Sequence, residues 1–240
     1  MVCNLINTRV ILLFFGGIIM SCSPPTGEEI VLKSLEFHGG LDRWENYEQL
    51  SYLKHSTLFY QDGSVESDVT ATYTHTFTPA ISSSKKWIKN DTVYSYKLTN
   101  NPEQDVANFI DQTAYIKAKN DLDGAFYVVW QPYKLLESKE ALEYIGQDIL
   151  EDQTKVNIVK LQYYNKDGSK DNTWWFYFGE KTHRIEGYMV KHDSTYAYVR
   201  NHTYESVTGL SLCQTRTSYR VDSLRTIQYI RGKYHYDFHN

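Results

Sequence analysis

Apolar and polar residues alternate most regularly between residues 65 and 77. One side of this segment carries Val69, Tyr73 and Phe77, whereas the other side carries threonines at alternate positions. Successive side chains of a β-strand point to opposite faces, so the alternation predicts a strand with one buried and one solvated face. Asp62-Gly63 comes before the segment and favours a tight turn from an earlier strand over residues 50–60.

Further strands are predicted along most of the remaining chain. They cover residues 85–89, 92–98, 144–149, 155–164, 172–178, 184–191, 195–205, 210–219 and 225–238. Turn-forming residues separate the neighbours, for example Asn90-Asp91 and His192-Asp193-Ser194. The pattern therefore predicts about eleven strands that follow one another as antiparallel neighbours.

Two segments have the signals of a helix. Thr26 and Glu29 have the spacing of a capping box at the start of the first, and Gly39-Gly40 end it. The second is predicted from Asn101-Pro102 to about Asn120. Its helically spaced residues are Val106, Phe109, Ile110 and Thr113. Residues 121–138 contain a cluster of aromatic residues, and a loop, a short helix and an edge strand all remain open there.

A long antiparallel meander must hide its apolar side, either by closing into a barrel, by stacking two sheets, or by curving around a helix. The two predicted helices favour the last solution. We therefore expect a mainly β protein, a curved antiparallel half-barrel with helices covering the concave face. No linker rich in Pro, Gly or Ser divides the chain, so residues 29–240 are expected to form a single domain.

The amino terminus has the features of an export signal. Residues 1–21 carry one base and no acid, and their apolar run is about half of the roughly 20 residues that a membrane span needs. Ile19-Met20-Ser21-Cys22 is similar to the bacterial lipobox, in which the cysteine is acylated and becomes the first residue. We expect a signal peptide over residues 1–21 and a lipidated tether over residues 22–28. The alternative is that Cys22 is an ordinary cysteine beside a conventional cleavage site.

Composition and charge narrow the function classes. The chain has 240 residues, of which 21 are Tyr, 10 Phe and 5 Trp, and this aromatic content is typical of paired β-strands. A net charge of -4 gives no reason to expect a nucleic-acid partner. Once Cys3 leaves with the signal and Cys22 is acylated, Cys213 has no disulfide partner and is expected to be a small buried residue. No cofactor-binding motif is present.

The most specific candidate for a catalytic site is a possible metal site on the final strand. His235, Asp237 and His239 alternate there and fall on one face, where they could ligate zinc or a non-haem metal. The opposite face carries Tyr234, Tyr236 and Phe238. The same alternation is therefore also explained by a strand that buries its aromatic face and exposes its polar face to solvent. We prefer the second explanation and predict no metal site. His38, at the end of the first helix, is likewise expected to be structural.

Several short motifs together resemble a known family. They are Phe37-His38-Gly39-Gly40 followed by Trp44, the strand pair through Asp62-Gly63, Trp130-Gln131-Pro132, and the closing series of Tyr-rich strands. On these motifs the chain resembles the uncharacterised DUF6503-type lipoproteins of Bacteroidetes, which are similar to the periplasmic lipoprotein carrier LolA and the outer-membrane receptor LolB. The resemblance implies a half-barrel whose concave apolar face holds acyl chains.

The expected function is therefore non-enzymatic binding of a lipid, an acyl chain or another hydrophobic ligand by a monomeric, membrane-anchored envelope lipoprotein. The candidate ligand-binding residues are Val69, Tyr73, Phe77, Trp87, Trp130 and Trp174. Strand register leaves open whether Trp174 and Phe176 or Trp175 and Tyr177 point inward. These aromatics can instead simply fill the core. The alternative functions are a glycan- or protein-binding module with exposed aromatics and, more distantly, a metal-dependent enzyme.

Overall fold

A computed structural model describes residues 24–101, 103, 105–107, 111–165 and 167–239. The predicted signal peptide and Cys22 with its expected lipidation lie outside these residues, as do Pro102, Phe109 and Ile110.

Within these residues, twelve strands form one antiparallel sheet. They are β1 (Gln49–Phe59), β2 (Val65–Thr76), β3 (Ser82–Lys89), β4 (Thr92–Thr99), β5 (Val106–Ala107), β6 (Leu142–Ile149), β7 (Lys155–Tyr164), β8 (Lys170–Gly179), β9 (Ile185–His192), β10 (Thr195–Glu205), β11 (Leu212–Val221) and β12 (Ile227–His239). The strand order is β5-β4-β3-β2-β1-β12-β11-β10-β9-β8-β7-β6, with β5 and β6 at the two edges. The sheet is curved and unclosed, which confirms the predicted mainly β half-barrel.

The turns between strands follow from residues that tolerate a left-handed backbone. Asn90 and Asp91 both have positive φ, 49° and 58°, and join β3 to β4 in a two-residue hairpin. A turn of this kind matches the right-handed twist of the strands and favours Asn and Asp. Asp193, with φ 52°, forms the predicted turn between β9 and β10.

Helix α1 (Gly27–Phe37) begins with the predicted capping box. The backbone N–H of Glu29 donates to the Thr26 hydroxyl at 3.1 Å, and the N–H of Thr26 donates to the Glu29 carboxylate at 2.9 Å. Close packing explains why residue 27 is a glycine, because a Cβ there would lie 2.5 Å from the carbonyl oxygen of Leu142. Helix α1 therefore approaches β6 backbone to backbone. A five-residue helix, α2 (Leu41–Glu45), follows and buries Trp44.

The second main helix lies further along the chain than the sequence predicted. Helix α3 spans Gln112–Val129, and the Asp111 side chain caps it by accepting from the N–H of Thr113 at 2.8 Å. The prediction that a helix runs from Asn101-Pro102 to about Asn120 is wrong at both ends. Val106 belongs to strand β5, which pairs with β4, and supplies the twelfth strand.

Asp105 explains why the helix does not start earlier. Its carboxylate accepts from the N–H of Thr99 and from the hydroxyl of Tyr115, both at 2.6 Å, and so holds the preceding loop against α3. The sequence left the structure of residues 121–138 undecided. Helix α3 continues through them to Val129, and a 3₁₀ segment, Tyr133–Ala141, follows.

The two faces of the sheet differ in what covers them. Phe176 belongs to the large core that the concave face forms with the helices, and Trp174 packs against that core. Tyr177 belongs to a smaller second core, against which Trp175 packs. This settles the register that the sequence left open. Residues of the second core lie on the convex face, among them Tyr198, which is 1% exposed.

Candidate functional site

Aromatic side chains line the concave face, and Trp130 is at their centre. Its ring stacks on Phe77 with centroids 4.3 Å apart and meets Trp44 edge-on at 4.7 Å. Tyr47 and Phe126 contact the same ring at 5.7 and 5.9 Å. Because Trp130 directly follows α3 and Phe77 directly follows β2, this stack fixes the end of the helix against the sheet.

A cleft of about 610 Å³ opens beside this stack, between α3 and the strands β2, β3 and β4. Its apolar lining includes Phe77, Ile81, Leu98, Leu122, Phe126, Trp130 and Tyr133. Charged residues border it, and two of them, Lys119 and Lys134, pair with Asp123 and Glu137 of the same rim. A pocket of this size with an apolar lining and a polar rim has the features of a small-molecule site.

The structure brings two of the six predicted ligand-binding residues together in the cleft. Phe77 and Trp130 line it side by side. Tyr73 also points to the concave side but lies deeper, 3% exposed and stacked on Tyr52 with centroids 5.3 Å apart. It contributes to the floor of the half-barrel rather than to the wall of the cleft.

The other three predicted residues lie apart from the cleft. Trp87 stacks on Tyr94 of the neighbouring strand at 5.3 Å. Trp174 stacks on Phe176 at 5.7 Å and contacts Tyr127 of α3 at 5.0 Å, on the far side of that helix. Val69 is 39% exposed. Their role in ligand binding stays a prediction.

Sequence reasoning predicted Trp130 but missed Leu122 and Phe126, which α3 contributes. The three residues recur every four positions and therefore lie on one side of the helix and its C-terminal end. That spacing is visible in the sequence, but Asn101-Pro102 placed the predicted helix too early to include it. The missed residues form one wall of the cleft.

His75 lies at the inner wall of the cleft, 1% exposed. Its Nε2 is 3.1 Å from the Tyr52 hydroxyl and its Nδ1 is 2.8 Å from the Ser83 hydroxyl. Burial lowers the pKa of His75 to about 4. The ring is therefore neutral at pH 7 and holds two strands together through hydroxyl groups.

His38, which was expected to be structural, contacts two distant parts of the chain. Its Nδ1 is 2.5 Å from the Ser211 carbonyl oxygen, and its Nε2 accepts from the N–H of Ile185 at 3.3 Å. The imidazole thus joins the end of α1 to the starts of β9 and β11. Burial is the main reason that its pKa is lowered to about 4, since the hydrogen bond to Ser211 acts in the opposite direction.

An ion pair joins α3 to strand β3 beside the cleft. Asp121 of α3 accepts from Lys85 at 2.7 Å and from the Tyr96 hydroxyl at 2.8 Å. Burial disfavours the ionised carboxyl, but the hydrogen bonds from Lys85 and Tyr96 and the charges of Lys85 and Lys54 together outweigh burial and lower the pKa of Asp121. Lys85 lies two positions after Ser83 on β3, and Tyr96 lies two positions before Leu98 on β4. Residues two positions apart share a face of a strand, so a charged and a hydroxylated side chain lie next to the two cleft residues.

The described residues contain no group of three His, Cys, Asp or Glu side chains that could hold a metal ion. His235, Asp237 and His239 are exposed on the convex face, whereas Tyr236 and Phe238 are buried on the concave face. Cys213 is buried, as predicted, and burial raises the pKa of its thiol. No helix in the described part of the chain is both long and apolar enough to cross a membrane.

No protein-family model matches the chain, and no curated protein matches it. Among solved structures, a LolA superfamily protein from Nitrosomonas europaea is similar, with a TM-score of 0.51 and 8% identity over 90% of this chain and 93% of that chain. At this identity the likeness shows the fold alone: the chain has a LolA-like fold.

Two further structures are similar at a lower level. A putative outer membrane lipoprotein-sorting protein domain from Vibrio parahaemolyticus has a TM-score of 0.49 and 6% identity, covering 89% of this chain and 91% of that chain. A DUF1329 family protein from Desulfovibrio piger has a TM-score of 0.43 and 8% identity, covering 89% and 90%. Neither carries an argument of its own. The narrower assignment to the DUF6503 type stays a prediction.

Proposed function

We propose that this protein binds a lipid, an acyl chain or a similar hydrophobic molecule in the cleft between α3 and strands β2 to β4, without catalysing a reaction. The cleft is the observation that carries the proposal. Its volume of about 610 Å³ and its aromatic lining suit an extended apolar chain, which loses water-exposed surface on entry.

The position of the cleft supports the same function. One wall is the sheet, and Tyr115, Leu122 and Phe126 of α3 contribute apolar surface to the other. The 51% exposure of Ile81 at the mouth places an apolar surface where a ligand would enter.

The proposed place of action is the bacterial cell envelope. The lipobox-like Ile19-Met20-Ser21-Cys22 would tether the domain to a membrane through acyl chains. We propose a monomer and a single domain over residues 29–240, with no nucleic-acid partner.

A binding titration tests the proposal. Increasing amounts of a fluorescent acyl-chain probe are added to the purified full-length chain, freed of bound lipid, and the dissociation constant is compared with that of Phe126→Ala. Phe126 lines the cleft and is half-buried, so its truncation removes ligand contacts at modest cost to the fold. We expect a loss of about tenfold, which is about 1.4 kcal/mol.

Trp175→Ala is the matched control, because this half-buried ring lies on the convex face. It should leave probe binding unchanged. Equal loss in both variants, or no saturable binding to the wild-type chain, refutes the proposal.

A second candidate function rests on a different surface. Trp175 and Tyr196 are half-buried beside a groove of about 470 Å³ on the convex face, which Gln162, Thr173 and Lys191 also line. Aromatic rings beside hydrogen-bonding groups suit the stacking of sugar rings. Binding of soluble oligosaccharides that Trp175→Ala abolishes, together with unchanged probe binding in the cleft, would favour this candidate.

A further inference from the structure

Strands β2 and β3 are paired along only part of their length. Their pairing ends at Ala71 and Trp87, although β2 stays paired with β1, and β3 with β4, as far as the ends of both strands. The β3–β4 hairpin therefore departs from β2 and leaves a gap in the sheet. We call this gap, between residues 66–70 of β2 and residues 87–89 of β3, the β2–β3 wedge.

The wedge has a volume of about 720 Å³ and is lined from both faces of the sheet. Val69 and Trp87 lie on its concave side, because they alternate with the residues that face solvent and Val69 shares the face of the buried Tyr73. Ile88 lies on the convex side and is 66% exposed. Two of the six ligand-binding residues predicted from the sequence, Val69 and Trp87, thus line a second opening rather than the cleft.

The backbone of β2 has an open edge in the wedge. In the part of the chain that the structure describes, residues 67–69 pair with β1 and have no strand partner on the side of β3. The N–H and C=O groups of an antiparallel strand point alternately to its two neighbours, so those of every second residue in this stretch point into the wedge. An open strand edge is a template for another extended chain. The wedge therefore has room and hydrogen-bonding groups for one more strand.

The charged residues that line the wedge indicate the charge of a partner. The two acids of the β2 wall, Glu66 and Asp68, are engaged by side chains of β12 and β1. The two bases of the β3 wall, Lys86 and Lys89, are exposed, and neither forms an ion pair within the described residues. The charges available to a partner are therefore positive, which favours an acidic partner.

We propose that the β2–β3 wedge is a docking site for an extended, acidic segment of a partner protein, which pairs with the open edge of β2 as an added strand. Its apolar side chains contact Val69 and Trp87 on the concave side, and its acidic side chains lie near Lys86 and Lys89. The segment that pairs is about four residues long, since a strand rises about 3.3 Å per residue and the open edge is short. This inference goes beyond lipid binding, because the wedge and the cleft share no lining residue.

A peptide titration on the full-length chain tests the proposal. The probe is a short peptide of alternating valine and glutamate residues with a neutral fluorescent label, and the comparison peptide has lysine in place of glutamate. We expect fluorescence anisotropy to show saturable binding of the glutamate peptide, at least about tenfold tighter than that of the lysine peptide. The bound peptide should also slow amide hydrogen exchange within residues 67–69.

Methylation of the peptide nitrogens separates strand pairing from side-chain contact alone. One version of the glutamate peptide is N-methylated on its valines and another on its glutamates, so that each version blocks one edge of the extended peptide. At least one version should lose affinity by about tenfold or more. If both bind as tightly as the parent peptide, the peptide is not an added strand and the proposal is overturned.

Charge reversal on the protein tests the position of the site. Lys86→Glu combined with Lys89→Glu should weaken binding of the glutamate peptide by at least about tenfold and strengthen binding of the lysine peptide. Both side chains are exposed, so the fold should tolerate the change. Lys155→Glu combined with Lys181→Glu is the matched control, because it changes the net charge equally at exposed positions outside the wedge. Equal loss in the two double variants overturns the proposal.

Two further results would overturn the assignment to a partner protein. A dimer of the free chain that the glutamate peptide dissociates, measured by light scattering, would give the wedge to a second copy of this chain. Hydrogen-exchange protection confined to the cleft around Phe77 and Phe126 would place the peptide in the cleft instead.

Discussion

Acid should destabilise this protein in the range where its two buried histidines gain protons. In each of His38 and His75 the folded state lowers the pKa from 6.5 to about 4, with burial as the leading cause. The unfolded chain therefore binds more protons than the folded chain between these two pKa values. Stability is at its full value above pH 6.5 and falls as the pH decreases towards 4.

The size of the effect follows from the two pKa values. A difference of about 2.5 pH units corresponds to about 3.4 kcal/mol for each histidine once both states have titrated. At pH 5, where the unfolded histidine is almost fully protonated and the folded one is not, the loss is about 2 kcal/mol for each and about 4 kcal/mol for both. That is a large share of the roughly 5–15 kcal/mol by which a domain is stable.

Urea unfolding at pH 7, 6 and 5, followed by tryptophan fluorescence, measures this loss. In His75→Gln, whose amide can still bond to Ser83, the loss between pH 7 and 5 should shrink to about 2 kcal/mol, because one titrating group is gone. Ser83→Ala is the matched control. It removes a hydrogen-bond partner of His75 at 2.8 Å and should cost about 1 kcal/mol at pH 7, yet keep most of the pH dependence. A wild-type unfolding midpoint that is constant from pH 7 to pH 5 refutes the reasoning, as does His75→Gln with the full loss.

Three further substitutions test separate parts of the structure. Trp130→Ala should lower the free energy of unfolding by about 3–5 kcal/mol, because the ring is 3% exposed; a loss below about 1 kcal/mol in urea unfolding would contradict its central place in the core. Glu186→Gln should cost about 3–5 kcal/mol by the same assay, since the carboxylate is 1% exposed and paired with Arg184 and Arg200; a neutral result would mean that the pairing adds nothing. Asp111→Ala should cost about 1 kcal/mol and speed hydrogen exchange in the first turn of α3, and unchanged exchange there would show that the helix is not capped at this residue.

Turn-forming residues between strands were the most dependable signal in this sequence. The predicted bounds of β7 and β10 match the structure at both ends, because polar residues typical of turns flank both segments. The capping box of α1 was equally readable, since Thr26 and Glu29 contact each other across one helical turn. Signals of this kind act over a few residues, and a sequence displays them directly.

The start of α3 was misplaced because two local signals compete. Asn101-Pro102 and Asp111 are both acceptable caps, and only the tertiary contacts of Asp105 with Thr99 and Tyr115 decide between them. That error hid Leu122 and Phe126, so one wall of the cleft was absent from the predicted site. The partners of Trp130 and the separation of β2 from β3 beyond Ala71 depend on contacts between different elements, which local patterns cannot reveal.

Photo-crosslinking tests the central claim most directly. A hexadecanoate analogue with a photoactivatable group near the end of its acyl chain is bound to the full-length chain and irradiated, and the labelled peptides are mapped by mass spectrometry. We expect label on residues of the cleft, in particular Phe77, Leu122 and Phe126, and excess hexadecanoate should remove it. Label confined to the convex face around Trp175 and Tyr196, or label that excess hexadecanoate does not reduce, would contradict the account.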